Sequence, residues 1–180
     1  MAKVLYSATM SLDGFIAGPG GDMSWLADHL GPNETADRIV EKIGAILVGR
    51  RTFEGDDPNK GTDKEGAFEG AWHGPQFVLT HRPPDEPVPG TTFVTDLAEG
   101  VALAKDAAGD KYVNILGADV ARQALQAGFV DEILVFVAPV LLGDGTRLFE
   151  VTGGANIRLD RLSQSESPMA TGIWYAVAGT

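Results

Sequence analysis

The pattern of apolar and polar residues predicts a β-strand close to the start of the chain. Between Lys3 and Ser11 the side chains alternate, with Val4 and Tyr6 on one side and Leu5 and Ser7 on the other. The apolar run Ala45–Val48 has no alternation, which is typical of a strand buried on both faces of a parallel sheet. The other predicted strands are Gln76–Thr80, Tyr112–Leu116, Glu132–Ala138, Ile157–Leu162 and Ile173–Ala178.

Helical spacing of apolar residues appears between the predicted strands. Asn33 and Asp96 are suitable N-caps for two helices, and Gly128 is suited to the C-terminal end of a third. The predicted helices cover about residues 33–42, 96–108 and 119–126. We read the Gly-rich segment 13–22, the polar segment 54–74 and the Pro-rich segment 81–90 as loops. Strands that alternate with helices, followed by strands alone, predict an α/β fold with a mostly parallel central sheet and antiparallel C-terminal strands.

Size and composition restrict the function. The chain has 180 residues, which suits one domain covering 1–180, and it has no cysteine for a disulfide, a thiol nucleophile or a thiolate metal site. The first residues lack the apolar core of a signal peptide, and no apolar stretch is long enough to span a membrane, so we expect a cytoplasmic protein without a membrane partner. The net charge of −11 disfavours nucleic acid as a partner. The three histidines have no metal-site spacing, and we expect no metal.

Residues suited to an anion follow three of the predicted strands directly. Ligands of open α/β sheets bind beyond the carboxyl ends of the strands, so these junctions are expected to meet at one edge. Arginine and threonine side chains suit phosphate oxygens, and small residues at a helix start leave backbone N–H groups free for a pyrophosphate. The sequence lacks both the G-x-G-x-x-G fingerprint and a P-loop. The junction residues are Gly49, Arg50, Arg51 and Thr52, then Thr80, His81 and Arg82, and finally Leu116, Gly117, Ala118 and Asp119.

Several stretches around these junctions resemble a known family. VLYSATMSLDGFIA, AILVGRRTFEG, FVLTHRP and VNILGADVARQALQAGFVDEILVFVAPVLLGDGTRLF occur in that order. Together they resemble the reductase domain of the bifunctional riboflavin-biosynthesis deaminase-reductase and its stand-alone, dihydrofolate reductase-like relatives. The resemblance covers about residues 3–149 and implies a dihydrofolate reductase-like three-layer sandwich, NADPH as cofactor and a homodimer.

The resemblance also implies a role for individual residues. The positions matching Gly49, Arg50, Arg51 and Thr52 contact the cofactor phosphates in that superfamily, and those matching Thr80, His81 and Arg82 hold the adenosine 2′-phosphate end. Leu116 precedes a turn in which the positions matching Gly117, Ala118, Asp119 and Val120 wrap the pyrophosphate, although the family commonly has Gly-Gly where this chain has Gly117-Ala118. Ala8 and the segment 13–17, including Ala17, are implied near the nicotinamide, with Trp25 at the edge of the substrate pocket.

The sequence does not match the proton donor of dihydrofolate reductases. In dihydrofolate reductases an acid lies five residues after the loop tryptophan, and counting from Trp25 that position is Leu30. We therefore rank Asp28 first and Asp13 second as the catalytic carboxylates that contact the substrate or supply a proton.

The leading hypothesis is an NADPH-dependent reductase of a small pterin- or pyrimidine-like heterocycle, similar to 5-amino-6-(5-phosphoribosylamino)uracil reductase. Two alternatives remain open on the same fold. One is a nucleotide-binding protein without catalysis, and the other is a flavin-binding reductase.

Overall fold

A computed structural model describes residues 1–55, 57 and 59–179 of the chain. Asp56, Pro58 and Thr180, which belong to the predicted domain 1–180, lie outside the described residues. The described strands are β1 Val4–Ser11, β2 Phe15–Ala17, β3 Ile43–Gly49, β4 Gln76–Leu79, β5 Thr91–Val94, β6 Tyr112–Leu116, β7 Glu132–Ala138, β8 Thr146–Arg147, β9 Leu159–Glu166 and β10 Thr171–Val177. The α-helices are α1 Glu34–Val40, α2 Arg50–Phe53, α3 Leu97–Ala108 and α4 Ala118–Gln126, and two short 3₁₀ helices cover Pro19–Gly21 and Ser24–His29.

Eight strands form one central sheet in the order β5-β4-β3-β6-β1-β7-β10-β9. The first six of these strands are parallel to one another, whereas β10 runs antiparallel to β7 and β9 antiparallel to β10. The structure therefore confirms the predicted α/β class and its antiparallel C-terminal strands. Similarity to dihydrofolate reductase-like structures, described below, confirms the fold family.

Both faces of the sheet are covered by helices. On one face Val101 and Ala104 of α3 and Ala121 of α4 share an apolar core with Val113 and Ile115 of β6. On the opposite face Ile39 of α1 packs with Leu5, Leu134 and Phe136. Neighbouring residues of a strand point to opposite faces. The apolar runs of the central strands therefore fill two separate cores, as the unbroken pattern of Ala45–Val48 predicted.

The predicted helix caps are present. The side chain of Asn33 accepts hydrogen bonds from the backbone N–H groups of Thr35 and Ala36, both at 3.1 Å. The side chain of Asp96 accepts one from the backbone N–H of Glu99 at 2.9 Å. Each cap satisfies donors that the first turn of a helix leaves without a partner.

A buried carboxylate connects the strands at the amino edge of the sheet. Glu132 accepts hydrogen bonds from Lys3 Nζ at 2.7 Å, Tyr112 Oη at 3.0 Å and Trp174 Nε1 at 2.8 Å. Burial, and next the hydrogen bond to Glu132, raises the pKa of Tyr112 to about 12. Asp131, the residue before Glu132, accepts a hydrogen bond from the backbone N–H of Val4 at 2.7 Å. The carboxylates of Asp131 and Glu132 therefore connect β1, β6, β7 and β10 and are structural.

Some elements differ from the prediction. The Gly-rich loop 13–22 contains β2, which pairs with β8, and β5 follows the Pro-rich loop 81–90. Strand β9 begins at Leu159 rather than Ile157 and extends to Glu166. The short strands β2, β5 and β8 form by pairing with other segments, and their own residues carry too little periodicity to reveal them.

Candidate functional site

The sheet register places the three predicted junctions side by side. Gly49 at the end of β3 pairs with Leu79 of β4, and Val48 pairs with Leu116 of β6. Thr80 and Gly117, the residues that follow those partners, therefore lie on either side of the start of α2. The anion-binding residues that the sequence predicted separately meet at the carboxyl edge of the parallel sheet, where ligands of such sheets bind.

Two exposed arginines and a buried threonine surround a cavity at the outer part of this edge. Arg50 Nη1 donates to the backbone oxygen of Arg82 at 3.4 Å, and its Nε donates to Glu54 at 2.8 Å. The hydroxyl of Thr80 accepts a hydrogen bond from the backbone N–H of Arg82 at 3.1 Å. The cavity has a volume of about 310 Å³ and includes Phe93 in its wall. Arg51 and His81 are exposed next to it.

The third junction is a tight turn into α4. Gly117 has a φ of +93°, a value that favours glycine, and a Cβ at this position would collide with Thr52 Oγ1. No side chain caps α4, so the backbone N–H groups of its first turn, from Ala118 to Val120, point out without an intrahelical partner. Asp119 does not point its charge at this turn, because its carboxylate accepts hydrogen bonds from Arg122 at 2.6 Å and Gln123 at 3.0 Å.

Val120 explains why α4 approaches the first junction so closely. Its side chain is 2% exposed, and its Cγ2 lies 3.0 Å from the point where a Cβ of Gly49 would stand. Gly49 and Gly117 therefore let α2 and α4 approach each other, with Thr52 between them. This leaves a narrow band of backbone donors and hydroxyl groups, which suits a pyrophosphate.

The residues that the family resemblance implies near a nicotinamide lie on β1 and β2. Ala8 is partly buried in the middle of β1, and Ala17 is buried at the end of β2. Gly145, which has a φ of +129°, lies against the backbone of Ala17 and brings the 142–148 segment over β2. Ala8 and Ala17 are small residues of these two strands, which otherwise carry larger side chains such as Met10 and Phe15.

In the structure Asp13 takes part in a loop contact. Its carboxylate accepts hydrogen bonds from the backbone N–H groups of Leu142 at 3.1 Å and Gly143 at 2.7 Å, and from the hydroxyl of Ser11. The Ser11 hydrogen bond, followed by the backbone N–H groups, lowers the pKa of Asp13 to about 2. Asp13 therefore connects the β1–β2 loop to the segment after β7, and its catalytic role stays a prediction.

Asp28 lies on the 3₁₀ helix Ser24–His29, and its side chain is exposed to solvent. Its catalytic role stays a prediction. Trp25, on the same short helix, is partly buried as expected, and its ring packs against His29 at a centroid distance of 6.0 Å. Sequence reasoning passed over His29 because a single histidine carries no spacing signal.

Among the described residues no group of histidine, aspartate or glutamate side chains is arranged to hold a metal ion. In the same part of the chain, no helix is long and apolar enough to cross a membrane.

Comparison with known proteins identifies the family. The model of the RibD C-terminal domain matches residues 2–170. The chain belongs to the RibD C-terminal domain family. This result agrees with the resemblance found in the sequence, because the match includes all three junctions and the segment after β7.

Individual relatives of this family member are distant in sequence. YyaP, an uncharacterized protein of Bacillus subtilis, is 27% identical over 159 residues, which cover 82% of this chain and 80% of YyaP. A putative riboflavin biosynthesis protein from Shewanella sp. PV-4 has a similar structure, with a TM-score of 0.74, 23% identity and coverage of 98% of this chain and 99% of the other. Dihydrofolate reductase from Enterococcus faecalis, complexed with NADP(H), matches with a TM-score of 0.64, 18% identity and coverage of 98% and 96%. These structures establish the dihydrofolate reductase-like fold.

Proposed function

We propose that this protein is an NADPH-dependent oxidoreductase that reduces a small pyrimidine-like heterocycle by hydride transfer. The observation that carries the proposal is the meeting of three anion-binding junctions at one edge of the sheet. Membership of the RibD C-terminal domain family supports a reductase. The pyrimidine-like substrate follows from the resemblance to the uracil reductase domain.

The order of the junctions along the sheet suits an extended dinucleotide. One residue of the candidate site comes from each of four strands: Thr80 follows β4, Gly49 ends β3, Gly117 follows β6 and Ala8 lies in β1. These four strands are consecutive neighbours in the sheet. Four adjacent strands extend about 14 Å across the sheet, at about 4.8 Å between neighbours. A cofactor laid along this edge meets arginines at one end, a band of backbone donors in the middle and small residues at the other end.

We assign the parts of the cofactor on this basis. The ligands for the adenosine 2′-phosphate are Arg50, Arg82 and Thr80, which line the 310 Å³ cavity. Arg51 and His81 are their exposed neighbours in the sequence. Thr52 and the first backbone N–H groups of α4 are the ligands for the pyrophosphate, where the positive end of the helix dipole also favours an anion. Ala8 and Ala17 border the nicotinamide.

NADPH supplies the hydride when it is bound. The protein orients the ring against the substrate, excludes water from the space between them and supports protonation of the reduced group. Since the position that carries the acid in dihydrofolate reductases is Leu30 in this chain, a carboxylic acid in that place is missing from this site. This favours a substrate other than dihydrofolate.

The same observation favours one competing function, a nucleotide-binding protein without catalysis. A turnover assay distinguishes the reductase from the non-catalytic nucleotide-binding protein. We expect the purified protein to oxidise NADPH, followed by its nicotinamide absorbance, when 5-amino-6-(5-phosphoribosylamino)uracil or its dephosphorylated form is added. NADPH binding without oxidation in the presence of either compound would favour the non-catalytic function. A yellow purified protein would favour the flavin-binding alternative. The homodimer and the cytoplasmic location stay predictions of the resemblance and the composition.

A further inference from the structure

The cavity that carries the arginines also has two carboxylates in its wall. Arg50 and Arg82 line it together with Glu54 and Asp85. A carboxylate repels a phosphate, so an acid in the wall of an anion site calls for a physical reason. Asp85 has no hydrogen bond or ion pair with another described residue. Glu54, in contrast, contacts one of the arginines directly.

The contact between Glu54 and Arg50 closes one turn of the chain. Glu54 Oε1 accepts a hydrogen bond from Arg50 Nε at 2.8 Å, and Glu54 directly follows the short helix α2, which begins at Arg50. The two side chains are 56% and 47% exposed, respectively. An ion pair in contact with water adds little to the stability of the fold. Its main effect is therefore on where the Arg50 guanidinium lies.

The hydrogen bonds continue from Arg50 along the cavity wall. Arg50 Nη1 donates to the backbone oxygen of Arg82 at 3.4 Å, and the backbone N–H of Arg82 donates to Thr80 Oγ1 at 3.1 Å. Glu54, Arg50, Arg82 and Thr80 therefore form one chain of hydrogen bonds, and all four line the cavity. This chain connects α2, after β3, to the loop after β4.

These contacts leave donors available at the cavity. An arginine side chain has five N–H groups, and Arg50 uses one on Nε and one on Nη1. The guanidinium of Arg82 has no hydrogen bond or ion pair with another described residue. Since the Thr80 hydroxyl accepts from Arg82, its own hydrogen can be donated. The remaining N–H and O–H groups suit phosphate oxygens.

A guanidinium that is already held in place binds an anion at a lower entropic cost. A free arginine side chain has many rotamers, and ordering it on binding opposes association. Glu54 and the backbone of Arg82 hold Arg50 at two nitrogens before any ligand arrives. The charge of Glu54 acts in the opposite direction, because it repels the phosphate. A neutral acceptor at this position would keep the first effect and remove the second.

We propose that Glu54 is a positioning residue of the 2′-phosphate site, which holds the Arg50 guanidinium at the cavity so that Arg50 and Arg82 both present donors to the phosphate. The inference rests on the proposed NADPH-dependent function, because it assigns the 2′-phosphate to this cavity. Glu54 acts through Arg50 and makes no contact of its own with the cofactor.

Two neutral replacements of Glu54 separate positioning from charge. Glu54→Gln keeps an oxygen that accepts from Arg50 Nε, whereas Glu54→Leu has no acceptor, and both remove the same charge. We expect NADPH to bind Glu54→Leu about fivefold more weakly than Glu54→Gln, because Arg50 must be ordered on binding. NADH lacks the 2′-phosphate and should bind the two variants equally. Fluorescence titration of each variant with each cofactor measures these affinities.

An Arg50→Ala background tests whether Glu54 acts through Arg50. In that background the Gln and Leu variants of Glu54 should bind NADPH equally, because the group that is positioned is gone. Glu34 provides a matched control, since it forms an ion pair with Arg38, also four residues away, at 3.9 Å on α1. Glu34→Gln and Glu34→Leu should both bind NADPH as tightly as the unmodified protein.

Equal NADPH affinity of Glu54→Gln and Glu54→Leu contradicts the positioning role. A difference that persists in the Arg50→Ala background also contradicts it, as does an equally large difference with NADH, which would indicate a general change in α2. Each of these results leaves NADPH binding by the unmodified protein standing. Failure of the unmodified protein to bind NADPH contradicts the proposed function and the positioning role together, so the two failures are distinguishable.

Discussion

At the scale of single residues, several polar groups are best explained by what they bind. Asp13 accepts hydrogen bonds from three donors, whereas Trp25 and His29 each have a buried nitrogen without a partner among the described residues. Asn114 is a different case. It is fully buried between Leu5 and Ile46, its pairing partners in the sheet, and neither its Oδ1 nor its Nδ2 has a partner among the described residues.

Asn114→Leu tests whether the unpartnered amide of Asn114 lowers the free energy of unfolding. Leucine has a similar shape and removes two polar atoms that have lost their hydration. We therefore expect the free energy of unfolding to rise by about 1–3 kcal/mol. Urea unfolding followed by circular dichroism measures the change. A lower stability of the leucine variant would show that the amide has a partner that it needs.

Asp13 should show its loop contact in the pH dependence of stability. Its pKa is lowered to about 2 in the folded protein, below its ordinary value of 3.8, so its contribution is complete above about pH 4. That contribution is lost as the pH falls from about 4 towards 2. We expect unmodified protein to be more stable than Asp13→Asn at pH 7 and the difference to shrink within this window. Thermal unfolding at pH 7, 4 and 3 provides the comparison, and a difference independent of pH would contradict the assignment.

At the scale of elements, α2 and the turn before α4 approach each other closely in the site. Gly117→Ala introduces a Cβ at positive φ and against Thr52, while Gly128→Ala introduces one at positive φ into open space after the other end of α4. Both changes should lower the free energy of unfolding by about 1–2 kcal/mol from backbone strain. Only Gly117→Ala should also weaken NADPH binding, by tenfold or more, because it disturbs the pyrophosphate turn. Equal NADPH affinity of the two variants in a fluorescence titration would argue against that turn as the phosphate site.

Most of the large elements could be predicted from the sequence, because burial on one or both faces leaves a periodic pattern. The strand before Gly49, the helix after Asp96 and the caps at Asn33 and Asp96 all follow from local residues. Strands β2, β5 and β8 and helix α2 could not be predicted, since each is short and depends on neighbours distant in sequence. The position of the junction residues at one edge of the sheet was predictable, because basic or small residues directly follow the predicted strand ends. The catalytic roles of Asp13 and Asp28 stay predictions, because the sequence shows a carboxylate but neither its hydrogen-bond donors nor its exposure.

At the scale of the whole molecule, the placement of arginines supports a selective site. The chain has a net charge of −11, and the cavity at the carboxyl edge of the sheet is lined by Arg50 and Arg82 together with Glu54 and Asp85. The two guanidinium groups of this arginine patch are fork-shaped donors suited to phosphate oxygens. NADPH differs from NADH by the 2′-phosphate alone, so this patch predicts a preference for NADPH.

Arg82→Ala tests that patch with a matched control. Arg82 lines the cavity and has no ion pair with another described residue, whereas Arg158 is an exposed arginine paired with Asp160 near the start of β9. We expect Arg82→Ala to weaken NADPH by about tenfold or more and NADH little, and Arg158→Ala to change neither. Equal weakening of both cofactors by Arg82→Ala would remove this residue from the 2′-phosphate site.

The most direct measurement is a titration of the unmodified protein with NADPH and with NADH, followed by quenching of the fluorescence of its three tryptophans. The dispersed phosphate site predicts saturable binding of NADPH at least tenfold tighter than that of NADH. Absence of binding to either cofactor, or equal affinity for both, would contradict the central claim.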